Sequence, residues 1–405
     1  MKIAVFSYFF PSTGRVYISS LCDMLTQLGH EVYIFNFFID DPDCFDQESL
    51  NKSMNTHNTI STFFLIYRVA AKIKNFLYKY FPFMRVLLKE FGHKYKLNKD
   101  FRTIRRELKV NHTFDCSIGI EKGGIICAHQ LFKLYGIPFY YLSLELYGDN
   151  HPTVQQPSMF KTMRVMEIAA HKKAAGTIIA DEERKDFLYK IGDIDTAKPA
   201  FFLPISFDES TITYDLSFFK NNGFNKKIIL NFGYNRMPDD FFISLIKKMP
   251  SDFIFFMHHR STEYHEEIAH QYSLENVHFS NNILDEKGIM NMIADSFIGV
   301  CWYQDETAND RLTAFSSEKT ARYLATGKPI IANANTNFSR LFASVKCGIA
   351  VNSPEEFIEA LQVITLNYQE FSQQARKTFD LFYKLTNYQQ SLNTFLQSNL
   401  QVISE

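Results

Sequence analysis

The chain has 405 residues, 46% of them apolar and 21% charged, with a formal net charge of −1. Such a composition is globular, too long for one typical core, and without an overall charge to draw it to nucleic acid. The six cysteines, at 22, 44, 116, 127, 301 and 347, form no Cys-x-x-Cys pair, so they read as reduced, mostly buried thiols of a cytoplasmic protein. No signal-type leader and no run of about 18 uncharged apolar residues occurs, so neither export nor a transmembrane helix is expected.

Lys2 to Phe10 reads as a buried strand broken by Pro11-Ser12-Thr13-Gly14, Arg15 to Gly29 as a helix, and Glu31 to Phe38 as a second strand. Strand, glycine turn, helix and strand in this order form a βαβ unit of a parallel sheet. One glycine in the turn is short of a G-x-G-x-x-G dinucleotide fingerprint. From Ile60 to Val110 the chain holds thirteen Lys or Arg against three acids, a net +10, interleaved with Phe and Tyr. Basic residues and large aromatics at helical spacing suit a helix lying on an anionic membrane surface, or amphipathic helices packed on the sheet with solvated basic faces. No nucleic-acid motif accompanies the charge.

Asp115 to Ile120 is expected as a strand, with Gly123-Gly124 opening a helix to about Tyr135, and Phe139 to Leu144 as the next strand. Glu145 follows that strand, and strand ends face the ligand crevice of open parallel sheets. Glu145, Tyr147, Asp149 and His151 are therefore candidates for chemistry, beside the reading of Glu145 as structural. Met159 to Ala174 (helix), Gly176 to Ala180 (strand) and Asp181 to Lys190 (helix) continue the pattern to Phe201-Phe202-Leu203-Pro204. Ile205 to Asn225 reads as a polar connection, placing domains at 1–206 and 207–405.

The second half restarts the same grammar. Strands are expected at Lys227–Phe232, Phe253–His258, Val277–Ser280, Ser296–Trp302 and Gly348–Val351, with helices at Phe241–Lys248, Glu263–Tyr272, Asp285–Ala294 and Pro354–Leu366. The stretch Phe315 to Asn333 reads as loop, helix, tight turn and buried strand. Ser316 and Ser317 stand where an N-cap is wanted, Glu318 in the first turn, and Thr320–Thr326 forms the helix. Gly327 and Pro329 stop it before Ile330-Ile331-Ala332. A loop feeding a helix N-terminus suits a phosphate, and Lys319 lies beside it; an ordinary capped helix is the competing reading. Histidines 258, 259, 265, 270 and 278 show no metal spacing and read as surface or polar-network residues.

The run EKTARYLATGKPIIAN, followed by FSRLFASVKCGIAVNSPEEFIEAL, resembles the end of family-4 type glycosyltransferases of the GT-B fold; KIAVFSYFF, GHEVYIF and AAGTIIADEERKDFL resemble that family's acceptor domain. The resemblance implies an α/β GT-B architecture, two Rossmann-like domains with parallel sheets facing across an interdomain cleft. The first would be the acceptor side and the second the nucleotide-sugar side, with the last helix packing back on the first. By the resemblance, Ser316 and Ser317 hold a donor diphosphate, neutralised by Arg236 and Lys319. Gly233 and Asn235 approach the donor, and Asn281, Ile283 and Leu284 border the base. Glu145 faces the acceptor together with Gly14, Arg15, Tyr147 and Asp149. The family's two glutamates eight residues apart fall here on Ala314 and Arg322, so neither carboxylate is present; Glu318 is the nearest acid, and Arg322 reads either as a donor-contacting residue or as an exposed helix residue.

The implied activity is transfer of a sugar from a nucleotide-diphosphate sugar to a glycan or lipid-linked acceptor in surface polysaccharide synthesis, retaining and metal-independent. No cofactor is expected beyond the nucleotide-sugar co-substrate, and no nucleic-acid partner. The expected place is the cytoplasm, peripheral to the inner face of the membrane through 60–110. A non-catalytic partner subunit and a sugar-nucleotide epimerase of the same fold stay open as alternatives.

Overall fold

The computed structural model describes residues 1–7, 15–36, 113–148, 159–209, 214–233, 237–259, 262–303 and 306–401. The basic segment 60–110 lies outside the described residues. The chain divides into two compact units, Met1–Phe202 with Gln389–Glu405, and Leu203–Tyr388.

Unit 1 runs β1 (Lys2–Ser7), α1 (Arg15–Gln27), β2 (Glu31–Asn36), β3 (Cys116–Ile120), α2 (Glu121–Tyr135), β4 (Phe139–Ser143), α3 (Met159–Lys173), β5 (Gly176–Ile179), α4 (Glu182–Gly192) and β6 (Ala200–Phe202). Its described strands form one parallel sheet in the order β2-β1-β3-β4-β5-β6. The central strands are buried along their whole length. This is why they read as unbroken apolar runs: a parallel sheet is covered on both faces. The last helix, Gln389–Gln401, belongs to this unit. Tyr140 Oη donates to the carbonyl of Leu396 at 2.6 Å, and His30 Nε2 meets Asn393 Oδ1 at 3.0 Å.

The start of α2 lies almost on the sheet. A Cβ on Gly119 would stand 2.4 Å from Ile125 Cα, and one on Gly124 2.2 Å from the Phe6 carbonyl oxygen. Both glycines are thus required by close approach of backbone to backbone. The helix begins at Glu121 rather than at the glycine pair, and both glycines are buried in its first turn. Gly124→Ala is expected to cost about 1–3 kcal/mol through overpacking that backbone cannot relieve. A urea titration checks it, and an unchanged midpoint would refute the close approach.

Unit 2 runs α5 (Phe218–Asn221), β7 (Lys227–Phe232), α6 (Asp239–Lys248), β8 (Phe253–His258), α7 (Glu263–Gln271), β9 (Val277–Ser280), α8 (Glu286–Asp295), β10 (Ile298–Cys301), α9 (Ala308–Arg311), α10 (Glu318–Ala325), β11 (Ile330–Asn333), α11 (Phe338–Ser344), β12 (Gly348–Val351), α12 (Pro354–Leu366) and α13 (Tyr368–Thr378). Its described strands form a second parallel sheet, β12-β11-β10-β7-β8-β9. Phe242, Phe255, Val300, Ile331 and Phe357 lie in its core. The stretch read as a polar connection contains α5, whose Phe219 is buried against Phe224 and Phe256. Tyr323 ties α10 beneath the sheet: its hydroxyl donates to the Leu230 carbonyl at 2.7 Å and accepts from Phe232 N–H at 3.1 Å. Gly299 makes room for that ring, since a Cβ there would sit 2.4 Å from it.

Two six-stranded parallel sheets among the described residues, each with flanking helices, are the expected pair of Rossmann-like domains.

Candidate functional site

The donor-side candidates of unit 2 gather at the C-terminal ends of its strands, where a parallel sheet opens its crevice. Gly233 follows β7 with φ +79°, and its N–H donates to the His258 carbonyl at 2.8 Å. A Cβ at this glycine would meet nothing within 4 Å. The positive φ therefore dictates glycine here, rather than crowding. Neighbouring Asn235 and Arg236 lie outside the described residues.

The turn into α10 distinguishes the two serines. Ser317 is the N-cap: its Oγ accepts from Thr320 N–H at 3.2 Å and lies 2.6 Å from Tyr303 Oη. Ser316 instead ends a short 3-10 turn, Ala314–Ser316, and donates its hydroxyl back to the Leu312 carbonyl at 3.2 Å. The helix starts at Glu318, two residues before the expected Thr320. Lys319 is half-buried, with Nζ 5.0 Å from the Tyr303 ring. Burial lowers the His259 pKa, Glu263 and Glu266 oppose this, and the Lys319 charge lowers it further. His259, just past β8, thus lies within electrostatic reach of Lys319 at the start of α10. Asn333 clamps the end of β10 by accepting from Tyr303 N–H at 3.0 Å and donating to the Tyr303 carbonyl at 2.5 Å. The result is a capped helix start with a cation and two hydroxyls beside it, suited to an anionic ligand.

Arg322 is not the exposed helix residue that its position suggests; its side chain is 2% exposed. Its Nη1 and Nη2 reach Glu286 Oε1 and Oε2 at 2.5 and 3.0 Å, and Nε and Nη2 reach Glu318 Oε1 at 2.9 and 2.5 Å. The guanidinium stands 5.1 Å over the Phe207 ring. Burial disfavours its charge, but Glu318 and Glu286 outweigh that and leave its pKa raised. Burial raises the Glu318 pKa, and Arg322 pulls it back down. Glu318 is thus engaged within the protein, as is Glu286, which remains partly exposed at the start of α8. Asn281, Ile283 and Leu284 lie in the loop that leads into α8; the first two are exposed and Leu284 is half-buried.

In unit 1 the structure singles out a residue that sequence reasoning passed over. Glu121, the first residue of α2, is 8% exposed and has φ +56°, a left-handed conformation strained for a side chain other than glycine. Its Oε1 accepts from Leu144 N–H at 2.6 Å and from Glu145 N–H at 2.9 Å. Leu144 is held from the other side by buried Arg184, whose Nη2 donates to its carbonyl at 2.6 Å. Asp181, the N-cap of α4, anchors Arg184 by accepting from its N–H at 2.9 Å. Lys122 Nζ stands 3.1 Å from the Tyr147 ring centroid. Behind them Tyr141 Oη donates to Glu167 Oε1 at 2.5 Å, and Arg164 pairs with Glu167 at 3.0 Å. Burial first, then Glu145, push Glu121 up to about 8 against the two backbone hydrogen bonds, and Glu167 adds to the rise. Glu145 and Tyr147 are half-buried two and four residues past β4. Gly14, Asp149 and His151 lie outside the described residues, as does the side chain of Arg15, which opens α1. The signal for Glu121 was a largely apolar strand, CSIGI, running straight into Glu-Lys-Gly-Gly.

Among the described residues no group of three His, Cys, Asp or Glu is placed to hold a metal ion, and no helix is long and apolar enough to cross a membrane.

Comparison with known proteins adds to this geometry. Residues 246–393 match the family model described as glucosyltransferase 3-like, C-terminal domain. No curated protein matches the chain. Among solved structures, sucrose-phosphate synthase from Thermosynechococcus elongatus superposes with a TM-score of 0.71 at 12% identity, over 99% of both chains. Anabaena Alr3699/HepE in complex with UDP-glucose gives 0.65 at 11% identity, over 98% of this chain and 100% of that one. WaaG, a glycosyltransferase involved in lipopolysaccharide biosynthesis, gives 0.58 at 14% identity, over 96% and 98%. The chain thus has the GT-B fold of these structures, and the region that matches the glucosyltransferase 3-like C-terminal domain lies mostly in unit 2.

Proposed function

We propose that the chain transfers a sugar from a nucleotide-diphosphate donor, held by unit 2, to a hydroxyl of a glycan or lipid-linked acceptor, held by unit 1. The observation that carries this reading is the start of α10: a serine cap, the Tyr303 hydroxyl and Lys319 at the C-terminal edge of a Rossmann-like sheet. Backbone N–H groups, the helix dipole and Lys319 would stabilise the charge that develops on the leaving diphosphate. Arg236, outside the described residues, is assigned the second positive charge. The UDP-glucose named with HepE makes a uridine diphosphate sugar the first donor to test. Retention of configuration, independence of a metal, a role in surface polysaccharide synthesis and attachment to an anionic membrane through 60–110 belong to the same proposal. Its place would be the cytoplasmic membrane face.

Thermal unfolding with UDP, GDP, CMP, ADP and TDP sugars tests the donor site. A ligand at a hundred times its Kd stabilises the fold by about 2.7 kcal/mol, so one sugar nucleotide is expected to raise Tm by several degrees. Lys319→Ala is expected to weaken that nucleotide at least tenfold. Ser317→Ala is expected to weaken it as well, and to cost about 1 kcal/mol through the lost cap. A folded protein that no nucleotide stabilises, and that moves no labelled sugar from any of them, would sink the proposal.

A further inference from the structure

The two carboxylates at the C-terminal ends of β3 and β4 do different work. Glu145 is half-buried at the edge of the sheet, and Glu121 is enclosed behind it. Glu121 occupies a left-handed position that glycine would fill without strain, one residue removed from the pair Gly123-Gly124. A carboxylate held in such a conformation implies a task that glycine does not perform. Its Oε1 takes both backbone N–H groups of Leu144 and Glu145, while Arg184 takes the Leu144 carbonyl. The chain leaving β4 is therefore pinned from two sides where it turns to present Glu145.

On the transferase reading above, we propose that Glu121 is a positioning residue of unit 1, pinning Leu144–Glu145 so that the Glu145 carboxylate meets the acceptor hydroxyl. Glu121 itself does not touch the acceptor. Among the described residues, the charged and titratable groups around it come from four elements. They are Lys122 on α2, Tyr141 on β4, Glu145 and Tyr147 after β4, Glu167 and Arg164 on α3, and Arg184 on α4. Burial and the two neighbouring carboxylates favour a proton on Glu121, so that Glu145 does not face a second negative charge at neutral pH. As pH rises and Glu121 ionises, that repulsion appears and the presentation of Glu145 deteriorates.

The experiment uses the full chain with Glu121→Gln and Glu121→Gly. Glutamine keeps an oxygen for the two N–H groups and stays neutral; glycine fits the backbone and removes the side chain. The amide resonances of Leu144 and Glu145 are followed against pH by ¹⁵N NMR, and acceptor KM and kcat are measured over the same range. In the wild type both amides are expected to move through one common step, alkaline of the ordinary carboxylate range, with acceptor KM rising at least tenfold across it. Glu121→Gln is expected to lose the step and keep a low acceptor KM throughout. Glu121→Gly is expected to show the raised KM at every pH, with nucleotide affinity within twofold of wild type. A Gln variant as impaired as the Gly variant would mean that Glu121 itself acts on substrate, and would overturn the proposal. So would amides that do not follow pH, or a Gly variant with wild-type acceptor KM. Absence of turnover with every donor would fail the transferase reading instead, and the amide titration would still decide whether Glu121 holds Leu144–Glu145.

Discussion

Arg322→Met is expected to cost unit 2 about 3–5 kcal/mol, the range for removing one partner of a buried ion pair. The side chain is 2% exposed and makes charge-assisted hydrogen bonds to two carboxylates on two helices, Glu286 of α8 and Glu318 of α10. Methionine keeps much of the volume over Phe207 but leaves Glu318 largely enclosed without a cation. Burial already raises the Glu318 pKa, and Arg322 is what opposes it. In the variant the folded-state pKa rises further above the unfolded value. Stability is then lost as pH rises through that widened window, and the deficit is smallest at acid pH. Urea midpoints at pH 5 and pH 7.5 check this: the difference between wild type and variant should grow with pH. Adding Glu318→Gln should recover part of the loss, because a neutral amide replaces the stranded charge. Equal midpoints at both pH values would show that the triad contributes nothing net.

The sheet skeleton was legible because parallel strands buried on both faces are apolar throughout. Lys227–Phe232, Phe253–His258, Val277–Ser280 and Gly348–Val351 carry the expected bounds. The three-residue edge strand Ala200–Phe202 was not legible, since pairing with β5 and not local pattern defines it. Helix α5 was hidden for a related reason: its four residues are held from outside, by Asp295 accepting from Phe219 N–H at 2.6 Å.

At the sites, residue type proved more legible than surroundings. Ser317 as a cap follows from local rules, whereas the departure of Ser316 into a preceding 3-10 turn depends on the Leu312 carbonyl. Arg322 sits on a helix whose neighbours Ala321, Tyr323, Leu324 and Ala325 are all buried, so periodicity alone leaves its direction open. What decides it is Glu286, thirty-six residues earlier. Glu121 was missed because its meaning lies in the N–H groups of residues twenty-three and twenty-four positions later.

The pH dependence of stability in unit 1 is expected to turn on Glu121. Its pKa rises from an ordinary 4.5 to about 8 on folding, chiefly by burial and by Glu145. A raised folded-state pKa means that the native chain binds a proton which the unfolded chain has released. Stability from this group is therefore complete below about pH 4.5, declines through the window up to about 8, and is flat beyond. The slope within the window is about 1.4 kcal/mol per pH unit, so several kcal/mol separate its ends. Glu121→Gln has nothing to titrate and should not share the decline. Its stability relative to wild type should rise steadily between pH 5 and pH 8 and then level off. The absolute sign at pH 5 depends on how well the amide oxygen replaces Oε1 as acceptor for Leu144 and Glu145; the slope does not. Urea titrations of both proteins across that range measure it, and parallel curves would show that Glu121 ionises as an ordinary carboxylate. A wild type that loses several kcal/mol on the way to pH 8 would identify a carboxyl kept in place at the expense of stability, as expected where position serves function.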